Sequence, residues 1–283
     1  MTISLREAIE EGAKSLETAG IADARMQSVS LLGHALGRNR TFLIAHSGDR
    51  LTNSQIRQFR ALVDRRRTGE PFQYITGHQE FFKLDFEVEP GVLIPRPETE
   101  IIVEAALEVL RDNPSPLIAD IGTGSGCIVI SLLHELPGAR ALATDLSPSA
   151  LDLARRNAQR HGVLDRLELI RADIFPAQSQ KEFSLITSNP PYIAEADMSA
   201  LQREVRDFEP PAALVSGQDG LDHIRALLRE APRRLNAGGY FIFEIGFGQR
   251  DLVAKLIDTE VWNIFQVRND LQGIPRTFLL QKK

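Results

Sequence analysis

Over the first 78 positions apolar residues recur three and four apart, as in "LREAIEEGAKSLETAG", which predicts short helices rather than strands. Gly20 is expected to close the first helix and Gly37 the second. In "LTNSQIRQFRALVDRRR", Thr52 and Gln55 have the capping-box spacing, because the hydroxyl and the glutamine side chain can each satisfy a backbone N–H left unpaired at a helix start. A third helix should therefore run to about Thr68. Arg65, Arg66 and Arg67 at its end read either as a contact patch for an acidic partner or as a solvated terminus favoured by the helix dipole. At residue 79 the periodicity changes. "QEFFKLDFEVEPGVLI" alternates apolar and polar positions and contains a Pro90-Gly91 turn, which predicts a hairpin linking two domains. After "PRPET" a helical pattern returns at "EIIVEAALEVL". From there strands alternate with helices, the strand cores being 117–121, 140–145, 167–171, 183–188 and 240–245, and this rhythm implies a doubly wound parallel sheet. Two further strands, 261–267 and 277–281, are separated by the turn-rich "NDLQGIP" with no room for a crossover helix, so they should pair antiparallel. The expected divisions are a helical domain over 1–78, a hairpin linker over 79–96 and a seven-stranded domain over 97–283.

Composition narrows the function classes. With 43% hydrophobic residues over 283 positions the chain can fill one large core and one small one. Thirty-three basic residues against 38 acidic ones leave a charge of -5, so no overall positive field invites a nucleic acid. The lone Cys127 allows no internal disulfide, and no Cys/His cluster has zinc spacing. No apolar run is long enough for a bilayer and the first residues lack a signal-peptide stretch, so a soluble protein of the cytoplasm is expected, without a membrane partner.

Candidate chemistry begins at "LIADIGTGSGCIVISLL", where Gly122, Gly124 and Gly126 stand between a strand and a helix, the place where an open α/β sheet binds its ligand. The spacing is G-x-G-x-G, not the G-x-G-x-x-G of dinucleotide sites, and no Walker-type Gly-Lys-Ser/Thr follows. Asp145 ends the second strand about 20 residues on, where an acid can accept both hydroxyls of a ribose; alternatively it caps the helix that begins near Pro148. Asp173 and Ile174 occupy the next position along the same edge, suited to an adenine amine and to the face of the base, or to an ordinary loop. This combination resembles the class I S-adenosylmethionine-dependent methyltransferases. The resemblance implies that Asp120 sits beside the ammonium of the cofactor's methionine part.

"SNPPYI" follows the fourth strand, so Asn189 should emerge beside the cofactor. The lone pair of a planar amide nitrogen is delocalised, and it attacks only if its plane is fixed. The Asn189 side-chain oxygen and the Pro190 carbonyl can each accept one N–H of an NH2 group, Pro190 and Pro191 stiffen the backbone, and Tyr192 can lie against the substrate. Asn-Pro-Pro-Tyr marks methyltransferases of planar amino groups. An adenine N6-methyltransferase and a non-enzymatic nucleotide-binding module are the other readings; the negative charge and the mixed-charge helices count against the first, and the paired amide acceptors against the second.

The ordered set "GEPFQYITGHQEFF", "LIPRPETE", "DIGTGSGCI", "TDLSPSALDLARRNA", "SNPPYI", "EPPAALVSGQDGL" and "NDLQGIPR" is similar to the HemK/PrmC family of release factor glutamine N5-methyltransferases. The resemblance implies a class I catalytic domain behind a small all-α domain, and transfer of a methyl group to the glutamine of the Gly-Gly-Gln motif in peptide chain release factors, with S-adenosylhomocysteine as the other product. Carried over, Asp120, Gly122, Thr123, Gly124, Ser125, Gly126, Asp145, Asp173, Ile174 and Asn189 bind the cofactor. Asn189, Pro190, Pro191 and Tyr192 hold the glutamine amide. Arg96 in "IPRPETE" reads as a substrate-side contact, or the segment as a stiff connector in which Thr99 caps the next helix.

Overall fold

Five helices among the described residues open the chain, α1 (Leu5–Thr18), α2 (Ala24–Leu36), α3 (Arg40–Ala45), α4 (Asn53–Arg67) and α5 (Phe72–Thr76). Leu5, Ala8, Ile9 and Leu16 of α1 lie on one buried stripe and meet Leu31 and Leu32 of α2 and Ile56, Phe59 and Val63 of α4. Thr52 and Gln55 form the reciprocal cap expected of α4, and Ser4 with Glu7 builds a second one at the start of α1. Gly37 closes α2 in the left-handed conformation. Helices α3 and α5 were not visible in the pattern, because six and five residues hold fewer than two turns of periodicity. Arg66 fits neither reading of the arginine run. It is 5% exposed, and its guanidinium donates to Gln27 at 2.7 Å, to the Glu70 carbonyl at 2.8 Å and to Glu204 at 2.8 Å.

The computed structural model describes residues 2–176 and 182–283. The chain forms two compact units, residues up to Gly77 with Gln202–Phe208, and His78–Leu201 with Glu209–Lys283. In the second unit, β1 (His78–Phe81) and β2 (Leu84–Glu87) make the expected hairpin, but its turn is Phe82-Lys83, and Pro90-Gly91 lies beyond β2. Both turn residues have positive φ, 49° and 62°, the geometry that matches strand twist in a two-residue loop. Glu100 accepts the Phe82 N–H at 2.9 Å, and burial of Phe81 and Phe86 on either side fixes the register.

Beyond the hairpin come α6 (Glu100–Val109), β3 (Leu117–Ile121), α7 (Cys127–Glu135), β4 (Arg140–Asp145), α8 (Pro148–Arg160), β5 (Leu167–Arg171) and β6 (Phe183–Ser188). The described elements continue with α9 (Arg203–Phe208, in the first unit), α10 (Asp222–Glu230), β7 (Leu235–Glu244), α11 (Arg250–Leu256), β8 (Trp262–Asn269) and β9 (Pro275–Lys282). The seven-stranded sheet has the order β5-β4-β3-β6-β7-β9-β8, with β9 antiparallel to β7 and to β8 and the other pairs parallel. Both faces are covered, so successive residues alternate between two cores. Ile118, Leu185, Ile242 and Leu279 face α6 and α7, whereas Ala119, Ile186, Phe241, Phe243 and Phe278 face α10 and α11. The chain winds outward from β3 to one side and from β6 to the other. The crevice at the carboxyl ends of β3 and β6 is therefore the switch point at which such sheets take ligands.

Candidate active site

The glycine loop leaves β3 at this switch point. Gly122 has φ 68°, and a Cβ added there would meet no atom within 4 Å; no neighbouring side chain asks for glycine, which leaves room for a ligand over the backbone. Gly126, at φ 81°, is required by packing instead: a Cβ would stand 2.7 Å from Ile130 Cδ1 and 3.2 Å from Ala154 Cβ. Thr123 and Ser125 are buried, and the Ser125 carbonyl accepts from Asn157 Nδ2 at 2.9 Å, which ties the loop to α8. Asp120 is fully buried. Its carboxylate accepts from the hydroxyls of Thr123 at 2.6 Å and Thr187 at 2.8 Å, and desolvation pushes its pKa up to about 6.

Asp145 ends β4, half-buried. One oxygen accepts the Gly124 N–H and the other the Ser147 N–H, each at 2.9 Å. The cap of α8 is Ser147, whose hydroxyl accepts the Ala150 N–H, so Asp145 is not that cap. A carboxylate oxygen with one backbone donor keeps a further lone pair, which leaves Asp145 able to accept two hydroxyls. Asp173 is exposed past the end of β5. Ile174 packs partly into the core, and its carbonyl accepts from Thr144 at 2.8 Å. The side-chain and backbone groups from 120–126, 145, 173–174 and 189 thus follow the carboxyl ends of the four parallel strands β3, β4, β5 and β6.

Asn189 and Pro190 follow β6 directly. Among the described residues, neither the Asn189 side-chain oxygen nor the Pro190 carbonyl receives a hydrogen bond, so both are open acceptors. The Asn189 NH2 group donates to the Thr99 hydroxyl at 2.9 Å, Thr99 donates to Glu244 at 2.6 Å, and the half-buried Tyr192 donates its phenol hydrogen to the other Glu244 oxygen at 3.2 Å. Glu244 is buried at the end of β7, and desolvation pushes its pKa up to about 7; burial likewise raises that of the Tyr192 phenol. The Tyr192 carbonyl accepts from Gln249 at 2.9 Å, and the "EPPAALVSGQDGL" segment holds the next residue, since Ile193 N–H donates to Leu214 and Ser216 N–H to Ile193, both at 2.9 Å. Arg96 is paired with Glu209, whose side chain is buried, while its own is 31% exposed.

Thr99, Glu244 and Gln249 escaped the sequence reading. One of the two readings of "IPRPETE" made Thr99 the cap of α6, but its φ of -69° and ψ of -18° are already helical, no backbone N–H reaches its hydroxyl, and that hydroxyl serves the site instead. The signal for Glu244 was an acid inside the apolar run "YFIFEIGF", where a charge at a strand end reads as solvent-facing.

A doubly wound sheet with an antiparallel last hairpin, a glycine loop after its first strand and Asn-Pro-Pro-Tyr after its fourth define a methyltransferase of the class I type. A crystal structure of a methyltransferase from Pyrococcus furiosus shares this fold, with a TM-score of 0.53 and 18% identity over 80% of this chain and 98% of that one. Residues 7–77 match the PrmC N-terminal domain, and residues 96–207 match the methyltransferase small domain. The chain is 44% identical to a release factor glutamine methyltransferase of Geobacter sulfurreducens over 96% of this chain and 95% of that protein. It is 39% identical to one from Koribacter versatilis over 99% of both. The chain belongs to the release factor glutamine methyltransferase family.

Proposed function

We propose that the protein transfers a methyl group from S-adenosylmethionine to the side-chain amide nitrogen of the glutamine in the Gly-Gly-Gln motif of peptide chain release factors, in the cytoplasm. The single observation that carries this is the pair of open acceptors, Asn189 Oδ1 and the Pro190 carbonyl, standing at the switch point beside the glycine loop. Two acceptors match the two hydrogens of a primary amide. By holding both, they fix the amide plane and favour a nitrogen lone pair turned out of conjugation. Orientation of this kind contributes up to about 7–11 kcal/mol where a near-attack geometry is reached. Pro190 and Pro191 fix two φ angles ahead of binding, and Tyr192, held by Glu244 at its hydroxyl, offers its ring to the amide face. The nitrogen becomes acidic as conjugation is lost, so it releases its proton late and needs no strong base in the site.

S-adenosylmethionine supplies an electrophilic sulfonium methyl when bound. The residues suit it. Gly122 to Gly126 leave backbone room, Asp145 keeps lone pairs for the ribose hydroxyls, Asp120 offers a carboxylate to the ammonium, and Asp173 with Ile174 suits the adenine. An arriving ammonium would also favour the charged form of Asp120 against its desolvation. Arg96 is assigned to the substrate side through the part of its side chain that Glu209 leaves exposed. The helical unit is assigned to the body of the release factor; it carries a cleft of about 710 Å³ lined by Met26, Arg25, Arg40 and Asp23.

Mass spectrometry of a release factor incubated with the enzyme and cofactor tests this reading. A single added methyl on the Gly-Gly-Gln glutamine is expected, with the intact factor modified faster than a short peptide carrying the motif. No methyl on that glutamine would refute the assignment.

A further inference from the structure

The direction in which Asn189 faces is decided by two residues outside its motif. We propose that Thr99 and Glu244 are positioning residues of the transfer step, which force Asn189 to present its amide oxygen, not its NH2, to the substrate. This rests on the methyltransferase reading above and adds a cause for the geometry that reading needs.

The argument is one of hydrogen counting. A threonine hydroxyl has one hydrogen, and an ionised carboxylate has none. At 2.6 Å from Glu244, the Thr99 hydrogen is committed to the carboxylate, so Thr99 can only accept from Asn189. Only the NH2 end of the amide can donate, and the Asn189 oxygen must point the other way. With the amide reversed, two acceptor oxygens would face each other inside the protein, at the cost of a lost bond and a repulsion. The same carboxylate uses its second oxygen for the Tyr192 hydroxyl at 3.2 Å. One buried acid thereby sets both the acceptor and the aromatic wall of the amide site, from elements 145 and 52 residues away in sequence.

The arrangement depends on the charge of Glu244. If Glu244 is protonated it can donate to Thr99; the Thr99 hydrogen is then free to turn toward Asn189, and either end of the amide fits. The charged and titratable groups around Glu244 are Glu98 beside Thr99, Tyr192 on the catalytic loop, Arg276 on β9 and Cys127 at the start of α7. Burial keeps Tyr192 and Cys127 neutral, the thiol being pushed up to about 12. Burial pushes the Glu244 carboxyl well above the usual carboxylate range, to about 7.

The test compares steady-state methylation of a release factor by the wild-type enzyme, Thr99→Val and Thr99→Ser, with cofactor affinity measured by calorimetry. Valine keeps the shape and removes the hydroxyl; serine restores it. Thr99→Val should lower kcat roughly 10- to 100-fold, the usual loss when a residue that orients a reacting group is removed. Cofactor affinity should hold, and Thr99→Ser should return kcat to within a few-fold of wild type. The wild-type kcat should rise with pH through about 7, and Thr99→Val should lack that limb. An unchanged kcat in Thr99→Val, a loss that serine does not restore, or an equal loss of cofactor affinity overturns the proposal. A wild-type enzyme that leaves the release factor unmethylated overturns the functional reading instead, which keeps the two failures apart.

Discussion

The sheet unit buries one carboxylate in each half of its site. Asp120 is the penultimate residue of β3, just before the glycine loop, and Glu244 ends β7 and bonds to Tyr192 of the Asn-Pro-Pro-Tyr loop. Each accepts two hydroxyl hydrogens, and burial raises both pKa values, to about 6 and about 7. They differ in what they join. Asp120 takes Thr123, three residues on, and Thr187 on the adjacent strand, so it tightens a loop that the local chain already builds. Glu244 gathers Thr99 and Tyr192 from separate segments. Asp145 raises the pKa of Asp120 further, whereas Arg276 lowers that of Glu244. A ligand-binding edge can be assembled from neighbours along the chain, but a site that must aim one amide draws on remote elements to fix the donor and acceptor sense of its groups.

Breaking the transfer half should cost rate, and breaking the cofactor half should cost affinity. The largest effect is expected for Asn189→Ala, which removes one of the two amide acceptors: kcat should fall roughly 100- to 1,000-fold, as when one preorganised hydrogen-bonding group is lost from a reacting centre. Near-normal turnover in that variant would dissolve the distinction between the halves. Asp145→Ala should act the other way. Cofactor affinity by calorimetry should weaken by about 1.5–3 kcal/mol, the range for hydrogen bonds to a charged group, while kcat at saturating cofactor changes little. A loss confined to kcat would move Asp145 out of the ribose site.

The contrast also explains what was legible in the sequence. The parallel strands and the glycine loop follow from short-range periodicity and spacing, and Asp145 from its distance along the chain, because a βα unit ties sequence separation to position on the sheet edge. Asn189 was legible because its neighbours share its task. Glu244 and Thr99 were not, since no local pattern reports a hydrogen bond spanning 145 positions. The hairpin turn was misplaced for a related reason. Pro-Gly is the stronger local turn signal, yet the register is set by buried Phe81 and Phe86 and by the Glu100 carboxylate that accepts the Phe82 N–H. Arg66 was hidden in a run of three arginines, although Gln27, Glu70 and Glu204 enclose it.

The smallest effect is the sharpest measure of how alike the two carboxylates are. Both folded pKa values are raised, so in each case the protonated form is the one that folding favours. The stability each group contributes is therefore complete below its unfolded value, 3.8 for Asp120 and 4.5 for Glu244, and is lost as pH rises through about 6 and about 7. Without cofactor, the protein should become less stable over this interval. Asp120→Asn and Glu244→Gln keep the shape of each side chain and remove its titration, so each should flatten part of the decline, the Glu244→Gln correction extending about one pH unit higher. At about 1.4 kcal/mol per unit of pKa displacement, the displacements of about 2.2 and about 2.5 units differ by less than about 0.5 kcal/mol, so near pH 7 the two corrections should match to within about 2 °C in Tm and be told apart by the pH at which each levels off. Saturating cofactor should shrink the Asp120→Asn correction, because a cation beside that carboxylate favours its charged form, and should leave the Glu244→Gln correction in place. Thermal unfolding across pH 4 to 8, with and without cofactor, reads both. If cofactor erased the Glu244 contribution as fully as that of Asp120, the two acids would belong to a single electrostatic site, and the division of labour between the sheet's two halves would not stand.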